Sequence, residues 1–179
     1  GMDKAVFKYV MQAANLPVLP CICFYAREYA KNREEIIAKA EKEFGYPMIV
    51  KPVNLGSSVG ISKANDKASL LDAIDLAVSF SDKVLIEHAV SAIREINCSV
   101  VGDSDSCEAS VCEEPFMNDE ILSYEDKYMA GSKSSGSKGM ASLSRKIPAD
   151  ISEEKSEEIR NLAKAVFKAL GAAGVVRID

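Results

Sequence analysis

One short stretch of the chain combines a cation, hydroxyl groups and glycines at a spacing that suits phosphate binding. Lys51 ends an apolar run, and the sequence NLGSSVG that follows contains Gly56, Ser57, Ser58 and Gly60. Glycines let the backbone approach a ligand closely, and successive N–H groups beside hydroxyls can hold phosphate oxygens. Because the lysine precedes the glycines, this is not a Walker loop. A hairpin turn beside a solvated lysine is the alternative, and this stretch alone does not separate the two.

Acidic side chains stand at the ends of two later apolar runs. Glu87 ends the run KVLIE, and Glu95 begins the run REINCSVVG. A carboxylate at a strand end can accept hydrogen bonds from an amino group or from ribose hydroxyls. Charges that prevent edge strands from pairing are the alternative. His88 is the only histidine and has no metal-type cluster beside it, which favours a packing or surface role.

Two more clusters suit a charged substrate. Lys127 and Tyr128 precede a glycine- and serine-rich segment, predicted as a mobile loop over 129–145, and such a segment can close as a lid. An exposed loop with solubilising lysines is the alternative. In the terminal run GVVRID, Arg177 and Asp179 alternate onto one strand face. Arginine can stabilise an oxyanion and aspartate can bind Mg²⁺, whereas a surface ion pair is the alternative.

The elements that position these residues form an α+β pattern. Two helix–strand units are followed by a run of strands, a helix and a final strand, which predicts two small sheets and not a doubly wound parallel sheet. Asp66 is the predicted N-cap of the third helix. The predicted helices cover 2–14, 32–45, 66–81 and 150–171, and the predicted strands cover 21–25, 47–53, 59–64, 83–90, 94–102, 107–116 and 174–179.

Composition limits the function classes. The net charge of −5 argues against a generic nucleic-acid surface, which is usually basic. No apolar run approaches the roughly 18 to 20 residues that span a bilayer, and the first residues lack the pattern of a secretory signal. Five cysteines without CxxC spacing indicate free thiols in a reducing cytosol, in preference to a zinc site or disulfides.

Taken together, six stretches resemble the ATP-grasp part of D-alanine–D-alanine ligases, including the D-alanine–D-serine and D-alanine–D-lactate variants of vancomycin resistance. The stretches are MDK, IVKPVNLGSSVGISKA, IEHAV, REINCSVVG, YEDKY and GVVRID. The resemblance implies an ATP-grasp fold with two small lobes, over residues 1–92 and 93–179, built from mainly antiparallel sheets and flanking helices. The chain is expected to end before the C-terminal strands that carry further metal ligands.

The resemblance also implies a role for each candidate residue. Nucleotide contacts are implied for Lys4, Lys51, Ser58, Glu87, Val90, Glu95 and Lys127. Among these, the three lysines contact phosphates, Glu87 and Val90 hold adenine, and Glu95 takes the ribose hydroxyls. Catalytic roles are implied for Ser57, Tyr128 and Arg177, and Asp179 is the implied Mg²⁺ ligand.

The implied activity is ATP-dependent ligation of D-alanine to a second D-amino acid through an acyl phosphate, for peptidoglycan precursor synthesis in the cytoplasm. Tyr128 favours an amino second substrate, and D-alanine or D-serine both remain open. ATP, Mg²⁺ or Mn²⁺, small-molecule substrates and a homodimer are implied, without nucleic acid or membrane. The chain alone is expected to turn over poorly or not at all. The alternatives are another ATP-grasp carboxylate–amine ligase and a non-catalytic nucleotide-binding or scaffold domain.

Overall fold

The computed structural model describes residues 3–56, 58–91, 93–115 and 145–179. These residues form two compact units: the first includes residues 3–8 and Val18–Ser91, and the second includes residues 9–17, 93–115 and 145–179. Three predicted site residues lie outside the described residues, namely Ser57, Lys127 and Tyr128. The loop predicted over 129–145 also lies outside them, apart from Arg145.

The first unit is built on an antiparallel sheet with the strand order β1-β4-β2-β3. Its strands are β1 (Cys21–Tyr25), β2 (Met48–Pro52), β3 (Ser62–Ala64) and β4 (Lys83–His88). Since β4 is an interior strand, Glu87 does not lie on a sheet edge. The alternative that Glu87 is an edge charge is therefore wrong. Each predicted strand of this unit is present, although the order of the strands could not be deduced from the sequence.

Two helices, α2 (Ala26–Phe44) and α3 (Lys67–Phe80), pack on one face of this sheet, and α1 (Lys4–Ala13) contributes its first residues to the unit. Alternation along β2 and β4 directs Val50, Val84 and Ile86 toward the helices. The carboxylate of Asp66 accepts from the Ser69 backbone N–H at 2.8 Å, which confirms the predicted N-cap of α3.

The start of α2 differs from the prediction. The sequence predicts a helix from residue 32, whereas α2 begins at Ala26 and departs from helical geometry at Asn32 (φ −127°, ψ 35°). The first turn is held by the Glu28 carboxylate, which accepts from the Tyr25 backbone N–H at 2.8 Å. The predicted boundary therefore coincides with a kink within the helix. The apolar periodicity is regular only beyond that kink.

The second unit contains an antiparallel sheet with the order β7-β6-β5-β8. Its strands are β5 (Asn97–Gly102), β6 (Cys107–Pro115), β7 (Arg145–Lys146) and β8 (Gly174–Ile178), and its helix is α4 (Glu153–Ala169). Helix α4 packs on one face, where Cys98, Val100, Ala163 and Phe167 form a buried cluster. Strand β7 was not predicted because two residues carry no period-two pattern.

The prediction of an α+β protein with two small antiparallel sheets is confirmed by these elements. Within the described ranges, no helix combines the length and the apolar character that crossing a bilayer requires. All five cysteines belong to these ranges and are free thiols. The side chains of interest for function lie mainly on the sheet face of each unit that α2, α3 or α4 does not cover.

Candidate functional site

The face of the first sheet opposite α2 and α3 carries a lysine and a glutamate on neighbouring strands. In the register of β2 and β4, Lys51 opposes Leu85 and Ile49 opposes Glu87. Lys51 and Glu87 are therefore diagonal neighbours on one face, within reach of each other's long side chains. The Lys51 ammonium group donates a hydrogen bond to Glu87 Oε1. The strand position of Lys51 agrees with the sequence prediction, and its partner was not foreseen.

Glu87 is buried, with only 4% of its surface exposed, and a second lysine neutralises it. Lys8 Nζ lies 2.7 Å from Glu87 Oε2, so each carboxylate oxygen has its own ammonium partner. Burial acts to raise the pKa of Glu87, but the charges and hydrogen bonds of Lys51 and Lys8 outweigh it and hold the pKa below the ordinary value. The carboxylate is thus ionised at neutral pH.

Lys8 was missed by the sequence interpretation. The signal that could have revealed it is its spacing of four residues from Lys4, which places both lysines on one face of α1. That face is directed to the site because Ala5 of α1 packs with Val53 and Leu85 in a small buried cluster.

Lys4 lies beside the chain that leads from β2 into the glycine turn. Its ammonium group donates to the Leu55 carbonyl and, at 3.4 Å each, to the carbonyls of Pro52 and Val53. Burial lowers the pKa of Lys4, and the charge of Lys51 lowers it further. Two ammonium groups that repel each other in a partly buried setting provide a positive potential that an anion would relieve.

The glycine turn after β2 contains two residues with left-handed backbone. Positive φ angles occur at Ser58 (61°) and at Gly60 (67°), whose glycine suits such an angle, whereas Gly56 is not among the glycines with positive φ. The turn is closed by hydrogen bonds from the Val59 N–H to the Gly56 carbonyl at 3.1 Å and from the Ile61 N–H to the Ser58 carbonyl at 3.2 Å. It connects β2 to β3, which pair in antiparallel fashion.

Replacing Gly60 with alanine should lower the free energy of unfolding by about 2 kcal/mol. The new Cβ would lie 2.7 Å from Pro52 Cγ and 2.9 Å from Phe80 Cδ2, at a backbone angle that disfavours side chains. Gly56→Ala is the matched control, since its Cβ would meet nothing within 4 Å. Chemical denaturation of both variants tests this expectation, and equal losses of stability at the two positions would contradict it.

Val90 and Glu95 both lie outside strands. Val90 follows β4, with its side chain 45% exposed. Glu95 is exposed and precedes β5, which starts at Asn97 and not at residue 94 as predicted. A ligand can approach both residues, because neither is covered by the core of its own unit.

In the second unit, Arg177 and Asp179 lie at the end of β8. Arg177 opposes Ser99 of β5, on the face that α4 does not cover. Its guanidinium group donates to both Asp179 oxygens, at 2.7 and 3.3 Å, and both side chains are exposed. The hydrogen bonds to Asp179, and then its charge, raise the pKa of Arg177. The surface ion pair considered as an alternative therefore exists, and it holds both groups together at the strand end.

The described residues do not make a magnesium site. Asp179 offers one carboxylate, already bonded to Arg177. Over residues 3–56, 58–91, 93–115 and 145–179, no three His, Cys, Asp or Glu side chains come together in a way that could hold a metal ion. Mg²⁺ needs several oxygen ligands, which these residues alone do not provide.

The same face of the second sheet contains polar residues that the sequence interpretation missed. A cavity of about 180 Å³ is lined by Asn97, Ser99, Ser110, Val111, Glu113 and Ile147. Asn97 is buried, and its Oδ1 atom finds no hydrogen-bond donor in the part of the chain that the structure describes. The signal was the period-two recurrence of polar residues at Glu95, Asn97 and Ser99 in an otherwise apolar strand.

Comparison with known proteins gives a consistent family. Residues 10–179 match the family model described as D-ala D-ala ligase C-terminus. The chain is 38% identical over 179 residues to a D-alanine–D-alanine ligase of Acetivibrio thermocellus, covering all of this chain and 44% of the relative. It is 39% identical over 178 residues to a D-alanine–D-alanine ligase of Chloroherpeton thalassium, covering 99% of this chain and 45% of the relative. The chain thus spans less than half the length of these curated relatives.

Two solved structures share the fold. The VanG D-Ala:D-Ser ligase from Enterococcus faecalis superposes with a TM-score of 0.77 at 27% identity, covering 98% of this chain and 47% of that chain. The D-alanine-D-alanine ligase from Coxiella burnetii superposes with a TM-score of 0.73 at 22% identity, covering 99% of this chain and 42% of that chain.

Proposed function

The chain belongs to the D-alanine–D-alanine ligase family. We propose that it carries the ATP-binding residues of an enzyme that joins D-alanine to a second D-amino acid for peptidoglycan precursors. Its fold is the ATP-grasp fold of these ligases. We also propose that the two lobes of this fold comprise residues 1–92 and 93–179. The second amino acid is D-alanine or D-serine.

One observation supports the proposal most strongly: two lysines meet a buried carboxylate on the sheet face opposite α2 and α3. Lys51 and Lys8 contact Glu87, and the charge of Lys51 acts on Lys4. Lys4, Lys8 and Lys51 outnumber Glu87. Asp3, whose charge also acts on Lys4, is paired with Lys83 at 3.2 Å, so an excess of positive charge remains in this partly buried setting. Such a site suits a polyphosphate, because electrostatic attraction is strengthened where water is excluded. A structural ion-pair network alone would not require the excess.

The roles of individual residues follow the sequence resemblance. We assign phosphate contacts to Lys4, Lys51 and Lys127 and place Ser57 and Ser58 at the loop that reaches the first substrate. Adenine contacts go to Glu87 and Val90, and ribose contacts to Glu95. Tyr128 supports the substrate network, and Arg177 faces the tetrahedral intermediate. Asp179 would hold the first metal ion together with further ligands that are not among the described residues.

The proposed reaction has two steps. A carboxylate oxygen of the first D-alanine attacks the γ-phosphorus of ATP, and ADP leaves, which gives an acyl phosphate. The amine of the second amino acid then attacks the acyl carbon, and inorganic phosphate leaves as the peptide bond forms. Charge develops on the phosphoryl oxygens and then on the carbonyl oxygen, so the lysines serve the first step and Arg177 the second.

The setting of the enzyme is also proposed from the family resemblance. Its partners are ATP, D-alanine and the second amino acid, and the metal is Mg²⁺ or Mn²⁺. A cytoplasmic location agrees with the use of ATP and with five free thiols. The homodimer remains a prediction.

Phosphate release by the full-length protein tests the function. With ATP and a metal ion, phosphate should appear on addition of D-alanine alone, and addition of D-serine or D-lactate shows whether either serves as second substrate. Because Tyr128 favours an amine, D-lactate should add nothing. Phosphate release that requires a different carboxylate, and none with D-alanine, would replace this proposal by the more general ATP-grasp ligase.

Thermal unfolding with Mg-ADP separates the enzyme from a scaffold domain. A ligand present at 100 times its dissociation constant stabilises the folded state by about 2.7 kcal/mol, which raises the midpoint measurably. A scaffold without a nucleotide site would show no shift. AMP and adenosine are useful comparisons, since each removes phosphate groups that Lys4 and Lys51 are proposed to contact.

A further inference from the structure

The two lysines that contact Glu87 are not equivalent. Lys8 is the more buried, with 12% of its side chain exposed against 26% for Lys51. Lys8 Nζ also donates to the Leu19 carbonyl at 2.7 Å, so two acceptors fix it. Among the described residues, Lys51 Nζ has a hydrogen bond to Glu87 Oε1 only. Lys8 is therefore the anchored partner of the carboxylate, and Lys51 is the partner that can turn to another anion.

Lys51 can exchange Glu87 for a phosphate group only under one electrostatic condition. A carboxylate as buried as Glu87 is strongly destabilising when it loses its only cation, because the low-dielectric surroundings do not solvate it. If Lys51 were the sole partner, a phosphate group would have to compete with Glu87 for one ammonium group. With Lys8 on Oε2, Lys51 can leave Oε1 and the carboxylate remains paired.

We propose that Lys8 is a positioning residue for nucleotide binding, which keeps Glu87 paired through Oε2 and so releases Lys51 to bind phosphate. This inference rests on the proposed function, because it takes Lys51 as a phosphate contact. Lys8 itself touches no ligand. When Lys51 leaves, Glu87 Oε1 becomes an acceptor for a donor on the ligand, and the exocyclic amino group of adenine is a donor of the required kind. The Glu87 carboxylate thus accepts a hydrogen bond from Lys51 in the free protein and from adenine in the complex.

A double-mutant cycle on the full chain tests the inference, with Mg-ADP as the probe and titration calorimetry as the measurement. Lys8→Met keeps most of the apolar stem of the side chain and removes the charge, and it should weaken Mg-ADP binding about tenfold. Glu87→Gln removes the competitor for Lys51. In the Glu87→Gln background, Lys8→Met should therefore change the dissociation constant by no more than about twofold. In the intact enzyme, Lys8→Met should raise KM for ATP and leave kcat unchanged.

Lys67→Met is the matched control, since Lys67 forms an exposed ion pair with Glu34 at 3.0 Å in the same unit, and it should bind Mg-ADP as the unsubstituted chain does. A tenfold loss that persists in the Glu87→Gln background would overturn the inference and assign Lys8 a direct contact. Unchanged affinity in Lys8→Met would also overturn it. Thermal unfolding of each variant identifies a general loss of folding. The double variant with Lys8→Met and Glu87→Gln lacks the charges of both Lys8 and Glu87, and it provides a folded comparison. If the unsubstituted chain does not bind Mg-ADP, the proposed function fails first.

Discussion

Substitution of Lys51 by alanine is expected to weaken Mg-ADP binding about 100-fold while the chain remains folded. Lys51 extends from β2 on the sheet face opposite α2 and α3, where it is partly exposed and bonded only to Glu87 among the described residues. Because the Lys51 ammonium group is already bonded to Glu87, it loses little further freedom when it binds phosphate instead. Removing it deletes a charge-assisted contact for which no side chain of comparable reach on β2 can substitute.

The fold should survive this change because Glu87 keeps a cation. Lys8 Nζ still lies 2.7 Å from Glu87 Oε2, so the buried carboxylate is not left alone. Titration calorimetry with Mg-ADP gives the affinity, and thermal unfolding without ligand gives the stability. Lys39→Ala, at an exposed position of α2 on the other face of the sheet, is the control and should bind Mg-ADP normally. Unchanged affinity in Lys51→Ala would remove the phosphate assignment of this lysine.

The elements could largely be predicted from the sequence because their apolar periods are regular. The β1 strand was located at both ends, and Asp66 marked the start of α3 through its side-chain chemistry. The predicted start of α2 was wrong by six residues, since the first turns before the kink at Asn32 carry few apolar residues. Local patterns decide local structure, and the error falls where the pattern is interrupted.

The partners of the site residues could not be predicted in the same way. That Glu87 lies on an interior strand follows from the order β1-β4-β2-β3, which depends on long-range pairing. The diagonal contact between Lys51 and Glu87 depends on the register of β2 with β4. Residue type and position indicated a phosphate loop or a hairpin turn, and only the three-dimensional pairing shows that the lysine is held by a buried acid.

A substitution at Arg177 is expected to lower activity without a loss of stability, because the charged residues of the two units have different surroundings. Lys51 and Lys8 both neutralise a buried carboxylate, so removing either charge also changes the environment of Glu87. Arg177 and Asp179 instead form an exposed pair at the end of β8. Exposed pairs contribute about 0 to 1 kcal/mol, because water screens them. A substitution at Arg177 therefore separates chemistry from folding more cleanly.

Substitution of Arg177 by methionine is expected to lower kcat about 100- to 1000-fold in the full-length protein, with little change in unfolding temperature. The guanidinium group is proposed to face the oxyanion of the tetrahedral intermediate, a charge absent from the ground state. Its loss should lower kcat and kcat/KM for ATP together. Phosphate release with ATP and D-alanine measures the rate. Arg33→Met, which removes an exposed arginine paired with Asp75 at 3.5 Å in the first unit, should retain full activity. An unchanged kcat with weakened Mg-ADP binding would make Arg177 a nucleotide contact and reject its role at the intermediate.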